Sequence, residues 1–537
     1  MLQRSSLATW GAALLLLSSL SSCEDILEQY FPKPTPPPVN PTFPPLGQDI
    51  AFYALSGGTR LDGYSTKDAA TRTSSVALTG LQSGESLLAI DFRPATGQLY
   101  GVSSASRLYV INQNTGAARA IGAGAFTPAV AGTLVGFDFN PTVDRIRLVT
   151  STGQNLRLNP ETGTVAATDG AINGPAATLT GAAYTNNVAG ASTTALYAIN
   201  PQTQQLTLVN SPNAGTVVPV GNLNLAVSGN GGFDIDGRTG TALGLYLVNG
   251  NPTLFAVDLA TGAARRLAQY APTLAYTGLA IPTRPVGYAA DFTGSRLHIF
   301  DPTDASVTVT KTITGFADFR RIIGLDFRPS NGQLYALTQS FDDTLDRYLY
   351  TINPATAEAT LIGPITPRLS LTSESAQFDF DPLTDQIRVV STNGAAGTAR
   401  TLLLNPTTAV FSPDVPLTLP SPPGSFKLAH DNNVAGATTT NLYLIEDPLG
   451  FNNLPCKLYR QNTADASSFT EIGSLGPTIR DCQAFDIGGA SNVGYLFAEV
   501  NSNAVLHTID LATGKATPTG TITLEGFVRG FTLGLGF

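Results

Sequence analysis

The sequence predicts an all-β fold, a pair of tandem five-bladed β-propellers, on three observations. First, motifs from one half of the chain return in the same order in the other. Ile90-Asp91-Phe92-Arg93-Pro94 with Gly97-Gln98-Leu99-Tyr100 recurs as Leu325-Asp326-Phe327-Arg328-Pro329 with Gly332-Gln333-Leu334-Tyr335. Phe137-Asp138-Phe139-Asn140-Pro141 recurs as Phe378-Asp379-Phe380-Asp381-Pro382, and Asn186-Asn187-Val188-Ala189-Gly190-Ala191 as Asn432-Asn433-Val434-Ala435-Gly436-Ala437. Val257-Asp258-Leu259-Ala260-Thr261-Gly262 recurs as Ile509-Asp510-Leu511-Ala512-Thr513-Gly514. Second, each half divides into units of about 40–48 residues, a period that belongs to blades or solenoid turns. Third, each half ends in a strand-like segment left over once its units are counted.

The unit over 134–168 illustrates the pattern. Val135-Gly136-Phe137-Asp138-Phe139 alternates apolar and polar residues and stops at Asn140-Pro141. Arg145 to Val149 and Asn155 to Asn159 alternate again, and Pro160-Glu161-Thr162-Gly163 turns the chain into a last short strand at Thr164-Val165-Ala166. Four short strands joined by Pro-, Gly- and Asn-bearing turns make a meander. A β-sandwich also has such strands but predicts no unit recurring about five times per half, as blades do.

Units begin near residues 50, 88, 134, 180 and 231, then near 286, 322, 376, 426 and 484. The first unit of each half lacks a leading strand. Gly278-Leu279-Ala280-Ile281 and Gly530-Phe531-Thr532-Leu533 supply one late, as ring closure requires if the open edge is to disappear. The repeats therefore span 50–283 and 284–537. An alternative remains open at this point: the spacing from Ala280 to Tyr288 equals that from Phe92 to Tyr100, so a hairpin there would make one ten-bladed ring.

Ahead of the repeats, residues 1–22 read as a lipoprotein signal peptide. Arg4 gives a positive start, Trp10 to Leu20 is a short apolar core, and Leu20-Ser21-Ser22-Cys23 resembles a lipobox. The core is too short for a comfortable membrane span. Cys23 is the expected lipidation site, and its acyl chains the only membrane anchor. Residues 23–49 form a Pro-rich tether of polyproline II character, a semi-rigid spacer. Glu24-Asp25 after the cysteine fits an outer-membrane lipoprotein of a Gram-negative bacterium, facing the periplasm or the cell surface.

Composition narrows the partners. Thirty basic against 39 acidic residues, with only 13 % charged, leave no basic patch for phosphate, so nucleic acid is not an expected partner. With Cys23 committed to lipid, Cys456 and Cys482 remain and are expected to pair as a disulfide. Their spacing is neither a CxxC nor a metal-ligand pattern.

The three recurring motifs, Asp-Phe-Arg-Pro with Gly-Gln-Leu-Tyr, Phe-Asp-Phe-Asn/Asp-Pro and Asn-Asn-Val-Ala-Gly-Ala, resemble the bacterial family called domain of unknown function 4394. The resemblance covers 50–537 as two copies. It implies a propeller-like fold and export, and no assigned activity.

Chemistry is sought among residues present in both copies. His298, His430 and His507 face Asp62, Tyr184 and Phe255 in the other half, so no shared site depends on histidine. The shared acids are Asp91, Asp138 and Asp234, matched by Asp326, Asp379 and Asp486, each in a unit's leading strand. Leading strands line a propeller's channel, and converging carboxylates suit Ca²⁺ or Mg²⁺. The competing reading has these aspartates bonding turn backbone, or pairing with Arg93, Arg145, Arg328 or Arg388. Asp138, Asn140 and Asp144, with Asp379, Asp381 and Asp385, superficially suggest a calcium loop but lack the Gly and terminal Glu of an EF-hand.

The Asn-Asn-Val-Ala-Gly-Ala runs predict either a special backbone path or a functional rim loop. The sole Trp, Trp10, lies in the signal, and Gly-x-Ser-x-Gly and HExxH patterns are absent. The expected function is a binding or scaffold module for a protein or glycan ligand at the cell envelope. The alternative is a divalent-metal-dependent hydrolase or lactonase-like enzyme using the channel aspartates.

Overall fold

The computed structural model describes residues 43–537 apart from 175–177, 292, 319, 343–345, 368–376, 394–397, 413–414, 418–424, 448–453, 463–466, 501–502, 521–523 and 525–526. Cys23, the signal peptide and most of the tether lie outside the described residues. Among the described residues forty strands assemble into ten four-stranded antiparallel sheets, each a blade.

The chain closes two rings of five blades. In the first, the strand Tyr276–Ala280 is the inner strand of the first blade and pairs with Ala51–Ser56, Tyr53 opposite Ala280 and Ala54 opposite Leu279. In the second, Val528–Leu533 pairs with Gly287–Asp291 in the same way, Tyr288 opposite Thr532. The remaining inner strands of the first ring are Leu87–Phe92, Val135–Asn140, Gly181–Tyr184 and Val227–Ile235; those of the second are Arg320–Arg328, Gln377–Asp381, Ser425–His430 and Arg480–Ile487. Each inner strand neighbours the next around its own ring, and the last neighbours the first. The strand before residue 281 therefore turns back to the chain's own beginning rather than pairing forward with Tyr288, and the ten-bladed ring is not formed.

Strand alternation creates the cores, because the two faces of each blade both point at another blade. Leu55 and Leu61 of the first blade pack on Ile90, Phe92 and Leu99 of the second. Tyr100 and Val102 from that blade's other face pack on Phe137, Phe139 and Leu148 of the third. The fifth blade's Leu243, Leu245 and Leu254 meet Phe52, Tyr64 and Leu279, completing the circle. Fully burying a side chain of this kind contributes about 1.5–3 kcal/mol.

The two rings meet at the recurring turns. Arg93 Nη1 donates to the Gly332 carbonyl at 2.8 Å, Tyr288 OH to the Ala95 carbonyl at 2.9 Å, and Gly536 N to the Thr96 carbonyl at 2.8 Å. A Cβ at Gly332 would stand 2.7 Å from Arg93 Nη1, so this contact needs glycine. The Asn-Asn-Val-Ala-Gly-Ala loops serve the same junction. Asn186 and Asn432 adopt φ of 53° and 51°, and Gly190 and Gly436 are also left-handed. Ala189 packs on the core between the second ring's first two blades, and Ala435 on the core between the first ring's second and third blades. The special backbone path thus presents each loop to the other propeller.

Cys456 and Cys482 form a disulfide joining the fourth and fifth blades of the second ring.

Candidate functional site

Three leading strands of each ring carry an aspartate whose neighbours in the strand are apolar. Asp91, Asp138 and Asp234 bring one carboxylate oxygen each within 4.8 Å of the others, and so do Asp326, Asp379 and Asp486. All six residues are 1–3 % exposed.

Most of their oxygens hold the ring together. Asp91 Oδ1 accepts its neighbour's Phe92 N–H at 2.7 Å, and Oδ2 reaches the next blade to accept Phe139 N–H at 2.8 Å. Asp138 Oδ1 accepts Tyr184 N–H at 2.9 Å from the blade beyond. Asp234 accepts Ile235 N–H and, across to the closing strand, Ile281 N–H, both at 2.6 Å. The second ring repeats this with Phe327 and Phe380 on Asp326, and Ile487 and Leu533 on Asp486. His430 N–H donates to Asp379 at 3.1 Å. Each aspartate is therefore a clasp between consecutive inner strands, where a strand N–H points at the axis rather than along a sheet. An N–H buried there without a partner would cost about 1–3 kcal/mol.

The arginines expected as partners lie elsewhere. Arg93 binds Asp144, Nε to Oδ1 at 2.9 Å, together with Glu161. Arg328 binds Asp385, Arg388 binds Asp381, and Arg145 donates to the Asp144 carbonyl. Arg93 and Arg328 follow the last residue of the clasp strand or sit at its end, so their long side chains reach the turn that joins the next blade's first two strands. Asp144 and Asp385 answer those arginines, and Asn140 Oδ1 caps its own turn through Thr142 N–H at 2.9 Å. The calcium-loop spacing does not converge on a point.

Burial, then the charge of Asp234, pushes the Asp91 carboxyl well above the usual carboxylate range. Asp138 rises for the same reason, with Asp91 and Asp234 as the neighbouring charges, and burial raises Asp234 to about 7. In the second ring burial raises Asp326, with Asp379 and Asp486 as the neighbouring charges, burial raises Asp379 beside Asp486 and Asp381, and burial raises Asp486 to about 7.

The rings differ in what faces the clasp. Thr532 Oγ1 donates to Asp326 Oδ1 at 2.8 Å, and the His430 ring nitrogen Nδ1 lies against Asp379. Burial lowers His430 to about 4 and raises Asp379. In the first ring those positions are Ala280 and Tyr184. The first copy has Tyr184 at the position of His430, so the repeat by itself hides this histidine; its placement two residues before Asn432 of a shared motif is the signal for it.

A second candidate is an open cleft of about 830 Å³ between the third and fourth blades of the first ring. Thr142, Ser192, Thr193, Asn210, Ser211 and Asn213 are among its lining residues, all neutral hydrogen-bonding groups. Arg147 and Tyr184 form its floor: Arg147 Nε donates to Tyr184 OH at 3.3 Å, Nη1 to Asp169 at 2.6 Å and Nη2 to Asn213 Oδ1 at 2.7 Å. Ser192, Thr193 and Thr194 directly follow the Asn186–Ala191 loop motif.

No curated protein matches the chain. Among solved structures it is similar to TolB from Acinetobacter baumannii, at 12 % identity over 55 % of this chain and 69 % of that one, TM-score 0.31. A Lactobacillus plantarum protein is 14 % identical over 64 % of this chain and 95 % of its own, TM-score 0.26. Hydrazine synthase from Kuenenia stuttgartiensis is 11 % identical over 71 % and 98 %, TM-score 0.23. The family described as Domain of unknown function (DUF4394) matches residues 60–280 and again 296–532, one match per ring, and the chain belongs to that family in two tandem copies.

Proposed function

We propose that the protein is a binding module of the bacterial cell envelope, anchored through lipid on Cys23, that takes a neutral, hydroxyl-rich ligand of the glycan class in the cleft of its first propeller. The observation that carries this reading is the cleft's lining. Hydroxyls and amides of Thr142, Ser192, Thr193 and Asn213 both donate and accept, which suits sugar hydroxyls, and the one guanidinium on the floor is already engaged by Asp169 and Asn213. The axial aspartates favour binding over hydrolysis. The residues are 1–3 % exposed and most of their oxygens are held by strand N–H groups, so a scissile bond would have to displace the ring's own clasps to reach them.

The test is a glycan array with the full chain in mild detergent, followed by calorimetry on any hit. Saturable glycan binding that weakens at least tenfold in Asn213→Ala or Thr193→Ala is expected. Binding unaffected by both changes, or binding to protein partners alone, would overturn the glycan reading. Metabolic palmitate labelling checks the anchor: label on the wild-type chain and none on Cys23→Ala.

A further inference from the structure

The two aspartate clusters are built on one plan yet are not equally satisfied. In the first ring five of the six carboxylate oxygens accept a backbone N–H, and the sixth, Asp138 Oδ2, is buried with no hydrogen-bond partner among the described residues. Nor does any Lys, Arg or His among the described residues form an ion pair with Asp91, Asp138 or Asp234. In the second ring two further donors are present, the Thr532 hydroxyl on Asp326 Oδ1 and the His430 ring on Asp379 Oδ2, each doubling the donors on an oxygen that already accepts an N–H. Their counterparts, Ala280 and Tyr184, cannot serve: alanine has no donor, and the Tyr184 hydroxyl is turned out to Arg147 in the cleft.

We propose that the axis of the first propeller holds one divalent cation, Ca²⁺, on Asp91, Asp138 and Asp234, and that in the second propeller the side-chain donors His430 and Thr532 stand against the cluster in place of an ion. Oxygens within 4.8 Å of one another fit a common ion, since two Ca–O bonds of about 2.4 Å span about that distance. Calcium is preferred over magnesium because Mg²⁺ keeps several waters in a strict octahedron, whereas these carboxylates belong to residues only about 1 % exposed. A carboxylate oxygen that accepts an N–H retains a second lone pair, so coordination and clasping are compatible. The ion would lie between the inner strands of the second, third and fifth blades, joining the fifth to the other two across the axis.

The experiment is metal content and Ca²⁺ titration of the full chain, stripped with EDTA, desalted, and checked by circular dichroism for an intact β-sheet spectrum. One Ca²⁺ per chain is expected, with a saturable rise in melting temperature. Asp138→Asn, which keeps the bond from Tyr184 N–H, should weaken Ca²⁺ at least tenfold, while Asp379→Asn should leave the stoichiometry at one. The wild-type stoichiometry alone decides the matter if a variant fails to fold. No bound ion, two ions per chain, loss of the ion in Asp379→Asn, or tighter binding of Mg²⁺ than Ca²⁺ would each overturn the proposal.

Discussion

Arg93 and Arg328 occupy the same position in the same motif, yet one is an internal strut and the other close to a surface group. The Arg93 side chain is fully buried and binds Asp144, Glu161 and the Gly332 carbonyl of the other ring. Arg328 and Asp385 have side chains 19 % and 35 % exposed, and among the described residues that pair touches no second acid. Both turns lie at the junction between propellers, but the Arg93 side chain reaches across it to the Gly332 carbonyl while Arg328 binds Asp385 of its own ring. Desolvation at the crossing makes the Arg93 guanidinium dependent on every partner it has. A duplicated motif therefore fixes local shape while the surroundings decide what its residues are worth.

The largest expected effect comes from breaking the buried member of this pair. Arg93→Ala leaves Asp144 and Glu161 facing each other unpaired and should destabilise the chain by about 3–5 kcal/mol in urea unfolding. Asp91→Ala should follow at about 2–5 kcal/mol, since Phe92 and Phe139 N–H lose their acceptor at once. Reducing the Cys456–Cys482 disulfide, which closes a 26-residue interval, should cost about 3 kcal/mol and act on the second ring alone, read as a lowered melting temperature with dithiothreitol.

The second ring's cluster also sets a pH dependence. Asp486 holds its proton up to about pH 7 in the folded chain but only to about 4 when unfolded. The folded state binds more protons between those limits, so its stability is fully present below about pH 4 and falls as pH rises through about 7. The melting temperature should drop by several degrees between pH 5 and 8, and Asp486→Asn should flatten that slope. The smallest effect belongs to Arg328→Ala, at most about 1 kcal/mol. If Arg328→Ala proved as damaging as Arg93→Ala, the contrast between the two turns would be wrong.

Ring closure was legible because the strand Gly278 to Ile281 had no unit of its own, and a strand without a sheet must find one. The convergence of Asp91, Asp138 and Asp234 was legible too, since leading strands share an axis. What their oxygens touch was not. Acceptance of Phe139 N–H by Asp91 depends on how far one blade rotates against the next, which no single strand's pattern records. The arginines misled for a related reason: Arg93 lies beyond the last residue of the strand Leu87–Phe92, where alternation no longer tells which way a side chain leaves. The role of Asn186 to Ala191 depended on a contact with Ile299 and Val309, more than a hundred residues further on.

The closing strands have a consequence for the order in which the molecule is made. The first ring uses no strand beyond Ala280, and the second begins its own with Gly287. Neither lends a strand to the other. A chain emerging from its N-terminus can therefore shut the first ring before the second exists, but until Tyr276 to Ala280 arrives the strand Ala51–Ser56 waits with one edge bare. The second ring repeats that interval almost to its final residue. Its blades add one by one against an open circle, and the last few residues of the chain both seal it and, through Gly536, dock it onto Thr96 of the finished partner.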